Sequence, residues 1–245
     1  MADGSTACLD KSLTSPGFDI TYESGDTARP CDQGVNLLRK LALFGILLTC
    51  SLQGQVPAPS PDLTLRPVLV LVAARDFSFA EFQPVRDGLR AAGLRVVVAC
   101  RDSLKAQAVN DSLVVPDLTL MEVDPAVYSG LVVVGGIGSV LYWSDSLALG
   151  MVRTVAQGED QALAAIGIGP VLLARAGALN GRRATAHADL RAVKFLEQGG
   201  ARFENRDCVV DGRIVTAADA AAAGKLVREV VRLIESKAAA GQRQG

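Results

Sequence analysis

The sequence has few aromatic residues, a single histidine and no excess of either charge. Aromatic side chains make up 4% of the 245 residues, and 25 basic residues balance 26 acidic ones to a net charge of −1. Surfaces that bind nucleic acids carry clustered positive charge and aromatic rings on which bases stack. The composition therefore predicts no nucleic-acid partner.

The cysteines are too few and too far apart in the sequence to indicate a metal site. The five cysteines include no C-x-x-C pair, whereas structural zinc sites need four Cys or His ligands at short spacings. We therefore predict no metal and no cofactor. Only Cys100 and Cys208 lie in the region of alternating strands and helices. A disulfide between them would suit an exported protein, but their spacing does not establish it.

The first 66 residues differ in composition from the rest and predict three segments. Residues 1–34 are polar and acidic without periodicity, which predicts disorder, or an extension created by a start assigned too early, with translation beginning near Val35. Within residues 35–55, Arg39 and Lys40 precede a 12-residue apolar run, the layout of a signal peptide or membrane anchor. The proline-rich residues 56–66 predict an extended linker.

This N-terminal layout predicts an exported or membrane-associated protein, in the periplasm or cell envelope. The apolar run is shorter than the roughly 20 residues of a membrane span, and a buried hydrophobic helix in a cytoplasmic protein is the alternative. The residues LLTC at positions 47–50 resemble a lipoprotein cleavage box, although Thr49 is atypical before the cysteine. Lipidation at Cys50 stays open.

Residues 67–237 predict one α/β domain, and residues 238–245 a disordered tail. Aliphatic runs at residues 68–72, 131–134 and 163–166 are typical of strands buried on both faces. Amphipathic stretches between them predict helices, and Asp211-Gly212 between two β-rich runs predicts a hairpin. Such alternation indicates a doubly wound, mainly parallel sheet sandwiched by helices, a flavodoxin-like architecture in which ligands bind at the carboxyl ends of strands.

The turn at Gly167 has the outline of a catalytic nucleophile elbow. A short apolar strand enters it and an apolar helix leaves it, in the sequence LAAIGIGPVLL at residues 163–173. In such elbows a Ser or Cys is held at the tip in a strained conformation. Glycine has no reactive atom and adopts a positive φ without strain. The chain therefore keeps the outline of a catalytic turn and lacks the nucleophile.

Several motifs in order resemble the ThiJ/PfpI family of the class I glutamine amidotransferase-like fold. They are LVVVGGIG at residues 131–138, AAIGIGP at 164–170, LLARAGALNGRRAT at 172–185 and VVDGRIVT at 209–216. The resemblance spans roughly residues 67–235. It implies a flavodoxin-like fold, a homodimer, and relatives that are cysteine-dependent hydrolases, glyoxalases, deglycases or redox-responsive chaperone-like proteins.

The chain departs from the family pattern at the site itself. The resemblance places a cysteine where Gly167 stands, often a histidine where Ile168 stands, and an acidic residue near Ser78. Glu81, one turn later, matches a second acidic position of the family. A Gly-Pro pair expected after the hairpin appears as Asp219-Ala220. These departures argue against the family's cysteine chemistry.

Each candidate site residue has a functional and a structural interpretation. Gly135 and Gly136 either present N–H groups to an oxyanion or only allow a tight turn. Gly167 and Ile168 either bind an anion at the start of a helix or form a closed, apolar remnant. His187 and Glu81 are the candidate catalytic residues, and as surface or solvated side chains neither needs a role.

Two functions follow from these residues. The first is a catalytically degenerate domain that acts as a small-ligand-binding or structural, stress-related module. The second is a hydrolase or glyoxalase/deglycase-like enzyme with non-cysteine chemistry at the Gly135-Gly136 oxyanion site, with His187 or Glu81 acting on water. The discriminating observation is whether His187 and Glu81 converge on an open pocket at Gly167.

Overall fold

The structure is a computed structural model that describes residues 66–102 and 105–241. The predicted disordered extension at residues 1–34, the signal or anchor segment at 35–55 and nearly all of the linker at 56–66 lie outside the described residues. Within the described ranges, no helix is both long enough and apolar enough to cross a membrane.

Strands and helices alternate through the domain, as the sequence predicts. The strands are β1 Val68–Leu71, β2 Arg75–Phe77, β3 Val96–Cys100, β4 Ala106–Ala108, β5 Leu113–Val114, β6 Leu118–Thr119, β7 Gly130–Val133, β8 Ala162–Ile166, β9 Arg183–Ala184, β10 Arg202–Phe203, β11 Cys208–Asp211 and β12 Ile214–Ala217. The α-helices are α1 Phe79–Ala91, α2 Ser146–Gln157, α3 Pro170–Arg175, α4 Leu190–Gln198 and α5 Ala223–Gly241. Short 3-10 helices span Pro125–Val127, Ile137–Ser144 and Ala220–Ala222.

The main sheet has the order β11-β12-β8-β7-β1-β3-β6. Every neighbouring pair is parallel except β11 and β12, which form the edge hairpin. Helices α1 and α5 pack together on one face of this sheet, and α2, α3 and α4 pack on the other. The residues of β1, β7 and β8 are all buried, because helices cover both faces of the central strands. The flavodoxin-like architecture is confirmed.

The hairpin between β11 and β12 is confirmed. Its two-residue loop begins one residue later than the predicted Asp211-Gly212 turn. Asp211 pairs with Ile214, so the two loop residues are Gly212 and Arg213. Gly212 has a φ of 62°, and Arg213 is not among the residues of positive φ. A glycine of positive φ followed by a residue of negative φ is the sign pattern of a type II′ turn, which matches the twist of the flanking strands.

Two small sheets were not expected from the sequence. One joins β2, β4 and β5, and the other joins β9 and β10. These strands have two or three residues each, too few for an alternating pattern to stand out. The first sheet carries the Val109–Asn110 turn toward the candidate site, because that turn links β4 to β5.

Helix α5 continues past the predicted domain boundary at residue 237. It ends at Gly241, so residues 238–241 of the predicted tail 238–245 are helical, and residues 242–245 of that tail lie outside the described residues. The extension has a physical reason. Lys237 pairs with Asp160 at 3.6 Å, and residues 238–240 are alanines, which have the highest helix propensity.

A disulfide between Cys100 and Cys208 is excluded within one chain. Neither cysteine is disulfide-bonded, and Cys100 lies at the end of β3 whereas Cys208 lies at the start of β11. Five strand spacings of about 4.8 Å separate these strands in the sheet, whereas bridged Cα atoms lie less than about 7 Å apart.

Candidate functional site

The candidate site lies at the carboxyl ends of β1, β7 and β8. The chain leaves β1 through α1 to reach β3 on one side, while β7 lies on the other side of β1. Connections from β1 and β7 therefore diverge, which opens a crevice at this edge of the sheet. The start of α1, the glycine loop after β7 and the elbow after β8 surround that crevice.

Two hydrogen bonds join the start of α1 to the glycine loop. The N–H of Ser78 donates to the carbonyl oxygen of Gly135 at 3.0 Å. In return, the N–H of Gly135 donates to Oε2 of Glu81 at 3.0 Å. Because Glu81 occupies this N–H, Gly135 does not offer it to an oxyanion, and the pair of glycines predicted as an oxyanion site is reduced to one.

Gly136 is required by the backbone packing of this loop. Its φ is 108°, a region that side-chain-bearing residues rarely adopt. A Cβ on Gly136 would also lie 2.6 Å from the carbonyl oxygen of Asp76 and from the carbonyl carbon of Phe77. The structural interpretation of this glycine is therefore sufficient, and a role in binding is additional to it.

The elbow has the strained geometry of a nucleophile turn without the nucleophile. Gly167 has a φ of 66° and is held on both sides by the backbone. Its N–H donates to the carbonyl oxygen of Ala217 at 3.0 Å, and its carbonyl oxygen accepts from the N–H of His187 at 2.8 Å. The sequence correctly indicated a tight strand–turn–helix at this point, with α3 beginning at Pro170.

The carboxyl group of Glu81 fills the space that a side chain at position 167 would need. A Cβ on Gly167 would overlap Oε1 of Glu81, and it would lie 2.7 Å from both Cδ and Oε2. Real Cβ atoms do not approach other heavy atoms this closely. A side chain at position 167 would therefore require the carboxyl group of Glu81 to move.

The environment of Glu81 favours its neutral form. Burial raises the pKa of the Glu81 carboxyl to about 7, hydrogen bonds from Gly135 and Ser78 lower it, and the charge of Asp219 raises it slightly. Asp219 is fixed as a cap, because its carboxylate accepts from the N–H groups of Ala221 and Ala222 at 2.9 Å and 3.2 Å. Near neutral pH, Glu81 is thus present in both protonation states.

Glu81 and His187 line one open cavity of about 470 Å³. Gly136 and Ile168 form part of its wall, whereas Gly135 and Gly167 are buried beneath it. The cavity is completed by Ser78, Phe79, Ala80, Val109, Asn110, Ile137 and Asp189. His187 is exposed at its mouth and is tied to the elbow only through its backbone.

Two of the residues that line the cavity have backbone N–H groups without an acceptor among the described residues. Across residues 66–102 and 105–241, the N–H groups of Gly136 and Ile168 have no acceptor. Buried or half-buried N–H groups are nearly always hydrogen-bonded to protein or water, so these two are available to a ligand oxygen. Of the predicted ligand-binding residues, Gly136 and Ile168 meet at the cavity, and Gly135 and Gly167 support them from below.

Some lining residues could not be found from the sequence. Val109 and Asn110 reach the site from the turn between β4 and β5, and Asp189 from the N-cap of α4. No motif marks them, because their proximity depends on how a small sheet and a helix pack on the main sheet. No group of three or more His, Cys, Asp or Glu side chains in the described ranges could hold a metal ion.

The sheet order, the glycine loop and the elbow define a flavodoxin-like domain with a candidate site at the carboxyl edge of the sheet. The model of the DJ-1/PfpI family matches residues 66–233. The match covers more than half of the chain, and the chain therefore belongs to the DJ-1/PfpI family.

Curated relatives and solved structures agree with this assignment. An uncharacterized protein of Methanocaldococcus jannaschii is 33% identical over 170 residues, which covers 69% of this chain and 82% of that protein. The protein named Deglycase PfpI of Pyrococcus furiosus is 26% identical over 167 residues, 68% of this chain and 99% of the relative. The crystal structure of a ThiJ/PfpI domain protein from Brachyspira murdochii superposes with a TM-score of 0.67 at 25% identity, covering 71% of this chain and 98% of that one.

Proposed function

We propose that this domain binds a small carbonyl- or carboxylate-bearing molecule without covalent chemistry. The observation that carries the proposal is the carboxyl group of Glu81, which occupies the volume of the missing elbow side chain. The cavity remains open beside it, so the fold keeps a ligand site after losing the nucleophile. The domain then acts as a ligand-binding or structural, stress-related module.

The polar groups of the cavity support this class of ligand. The free N–H groups of Gly136 and Ile168 are suited to a carbonyl or carboxylate oxygen. In its neutral form, Glu81 is able to donate a hydrogen bond to a second acceptor oxygen. A ligand with two oxygens on one carbon matches both sets of donors.

A thermal-shift screen of the full-length protein tests the proposal. Acetate, pyruvate, glyoxylate and methylglyoxal should raise the melting temperature, and Glu81→Gln should weaken the shift. Asp87→Asn is the matched control, because Asp87 lies on the same helix with its side chain 49% exposed and away from the cavity. Equal loss of binding in both variants, or no shift with any of the four compounds, would contradict the proposal.

A second function is favoured by one observation. Glu81 and His187 line the same cavity, and Glu81 titrates near neutral pH, as a general acid–base group should. Two relatives, from Pyrococcus furiosus and Thermococcus kodakarensis, are named deglycases, but the family resemblance implies an elbow cysteine for such chemistry. Turnover of methylglyoxal that survives alkylation of both cysteines and is lost in Glu81→Gln would establish this alternative. We expect no turnover.

Export and assembly form the remaining part of the proposal. Arg39 and Lys40 before the apolar run favour targeting to the membrane or periplasm. Fractionation of the native host should place the protein outside the cytoplasm, and a full-length cytosolic protein would refute this. Family membership favours a homodimer, which sedimentation of the purified protein should reveal as twice the mass of one chain.

A further inference from the structure

A second cavity continues from the candidate site along the face of the 3-10 helix Ile137–Ser144. Its volume is about 400 Å³, and it shares Ile137, Ile168 and Asp189 with the cavity at the elbow. Because they share these three residues, the two cavities adjoin, and we treat them as the arms of one trough. We name them the polar arm, which contains Glu81 and His187, and the apolar arm, whose other lining residues are Val140, Trp143, Arg191, Ala192 and Phe195.

The walls of the apolar arm are fixed by aromatic contacts. The rings of Trp143 and Phe195 meet edge to face with centroids 5.1 Å apart, and the guanidinium group of Arg175 lies 4.9 Å from the centroid of Phe195. Phe195 is therefore held between a ring and a cation, so the arm is already formed in the absence of a ligand. Preformed apolar walls lower the ordering cost of binding.

The apolar arm leaves large hydrophobic side chains in contact with water. Ile137 is 61% exposed and Val140 is 37% exposed. The only charged groups on this arm are Asp189 and Arg191 at its rim, whose side chains form an ion pair at 3.7 Å. Because these two charges pair with each other and the other lining residues are apolar, a hydrocarbon tail would suit the rest of the arm and cover its exposed surface.

From this arrangement we infer that the ligand is a carboxylic acid with a hydrocarbon tail. This inference rests on the proposed function, because the carboxyl head would lie at the N–H groups of Gly136 and Ile168 in the polar arm. The tail passes Ile168 and lies against Ile137, Val140 and Phe195. The two ends of the trough thus match the two ends of an amphiphilic molecule.

Isothermal titration of the full-length protein with acetate, butanoate, hexanoate and octanoate tests the inference. Each added methylene should tighten binding about fourfold until the arm is filled. Val140→Asp should abolish this dependence on chain length, because it places a charge on the wall against which the tail would lie. Val140→Ser should reduce the dependence, and it serves if the aspartate variant does not fold.

Leu141→Asp is the matched control, because Leu141 lies on the same 3-10 helix, is 71% exposed and does not line the trough. It should keep the full chain-length dependence. If acetate and octanoate bound with equal affinity, the inference that the apolar arm binds a hydrocarbon tail would be wrong, and the proposed function would not be affected. If Val140→Asp and Leu141→Asp reduced the dependence of affinity on chain length equally, the inferred apolar arm would also be overturned. The tail would then bind to the surface without preference for the arm. No binding of any acid would overturn this inference, and the proposed function would fall with it only if methylglyoxal also gave no thermal shift.

Discussion

Two glycine-containing turns lie side by side at the carboxyl edge of the sheet. In each turn a Cβ in place of a glycine hydrogen would collide with neighbouring atoms, but the atoms differ between the two turns. In the loop after β7, a Cβ on Gly136 or Gly138 would collide with the backbone of residues 75–78. In the elbow after β8, a Cβ on Gly167 would collide with the end of the Glu81 side chain. Backbone cannot move away without disturbing a strand, whereas a side chain can rotate or be replaced. The steric obstacle in the first turn is therefore fixed by the fold, whereas the steric obstacle in the second is one side chain, added to the strain of a φ of 66° at Gly167.

Gly138→Ala should destabilise the protein more than any other substitution proposed below, because the new Cβ would collide with backbone atoms. The new Cβ would overlap the carbonyl oxygen of Arg75 and lie 2.8 Å from its carbonyl carbon. We expect a loss of about 3 kcal/mol or more in the free energy of unfolding, at or beyond the usual range for overpacking. Guanidinium denaturation of the purified protein measures it, and a loss below about 1 kcal/mol would show that the loop yields easily.

The pH dependence of the free energy of unfolding should report on the carboxyl group of Glu81, which lies beside the elbow. The pKa of Glu81 is raised from 4.5 to about 7 in the folded protein. Its stabilising contribution is therefore complete below pH 4.5 and is lost as the pH rises through 7. The expected loss is at most about 3 kcal/mol between pH 5 and 8.

Denaturation at several pH values checks this expectation, with Glu81→Gln as the variant in which the slope should flatten. The carboxyls whose pKa values are lowered, such as Asp207 and Asp211, are already ionised throughout this window. An unchanged slope in Glu81→Gln would mean that another group titrates.

Gly167→Ala should destabilise the protein by about 2 kcal/mol. Part of this comes from a residue with a Cβ at a φ of 66°, and part from the collision with Glu81. In the background Glu81→Ala, only the strain should remain, so the two substitutions should couple by about 1 kcal/mol in a double-mutant cycle. Additive effects would indicate that Glu81 does not occupy the volume of the elbow side chain.

Gly150→Ala should have the smallest effect and the opposite sign. Gly150 lies inside α2, and nothing lies within 4 Å of the position of its Cβ. Alanine should stabilise the helix by about 0.5–1 kcal/mol, because it loses less conformational freedom on folding. The same denaturation assay tests this. If Gly150→Ala were destabilised, the losses in Gly138→Ala and Gly167→Ala could no longer be attributed to collisions of the new Cβ.

The difference between the two turns also explains what the sequence could predict. Aliphatic runs, turn residues and the order of motifs indicated the parallel sheet, the hairpin and the elbow, because each depends on neighbouring residues. The contact between Glu81 and Gly167 joins residues far apart in the chain, and no local pattern shows which way a carboxyl group points. The same holds for the Gly135 N–H, which was expected to face a ligand and instead binds Glu81.

The carboxyl group beside Gly167 also bears on how this domain changes over generations. A cysteine at position 167 would have its Cβ at a φ of 66° and would require the Glu81 carboxyl to shift, so it would cost stability before any benefit in catalysis. Replacing Glu81 first would leave the N–H of Gly135 without its partner. Either order passes through a less stable protein. Positions 81 and 167 are in this sense coupled, and a change at one alters the cost of a change at the other.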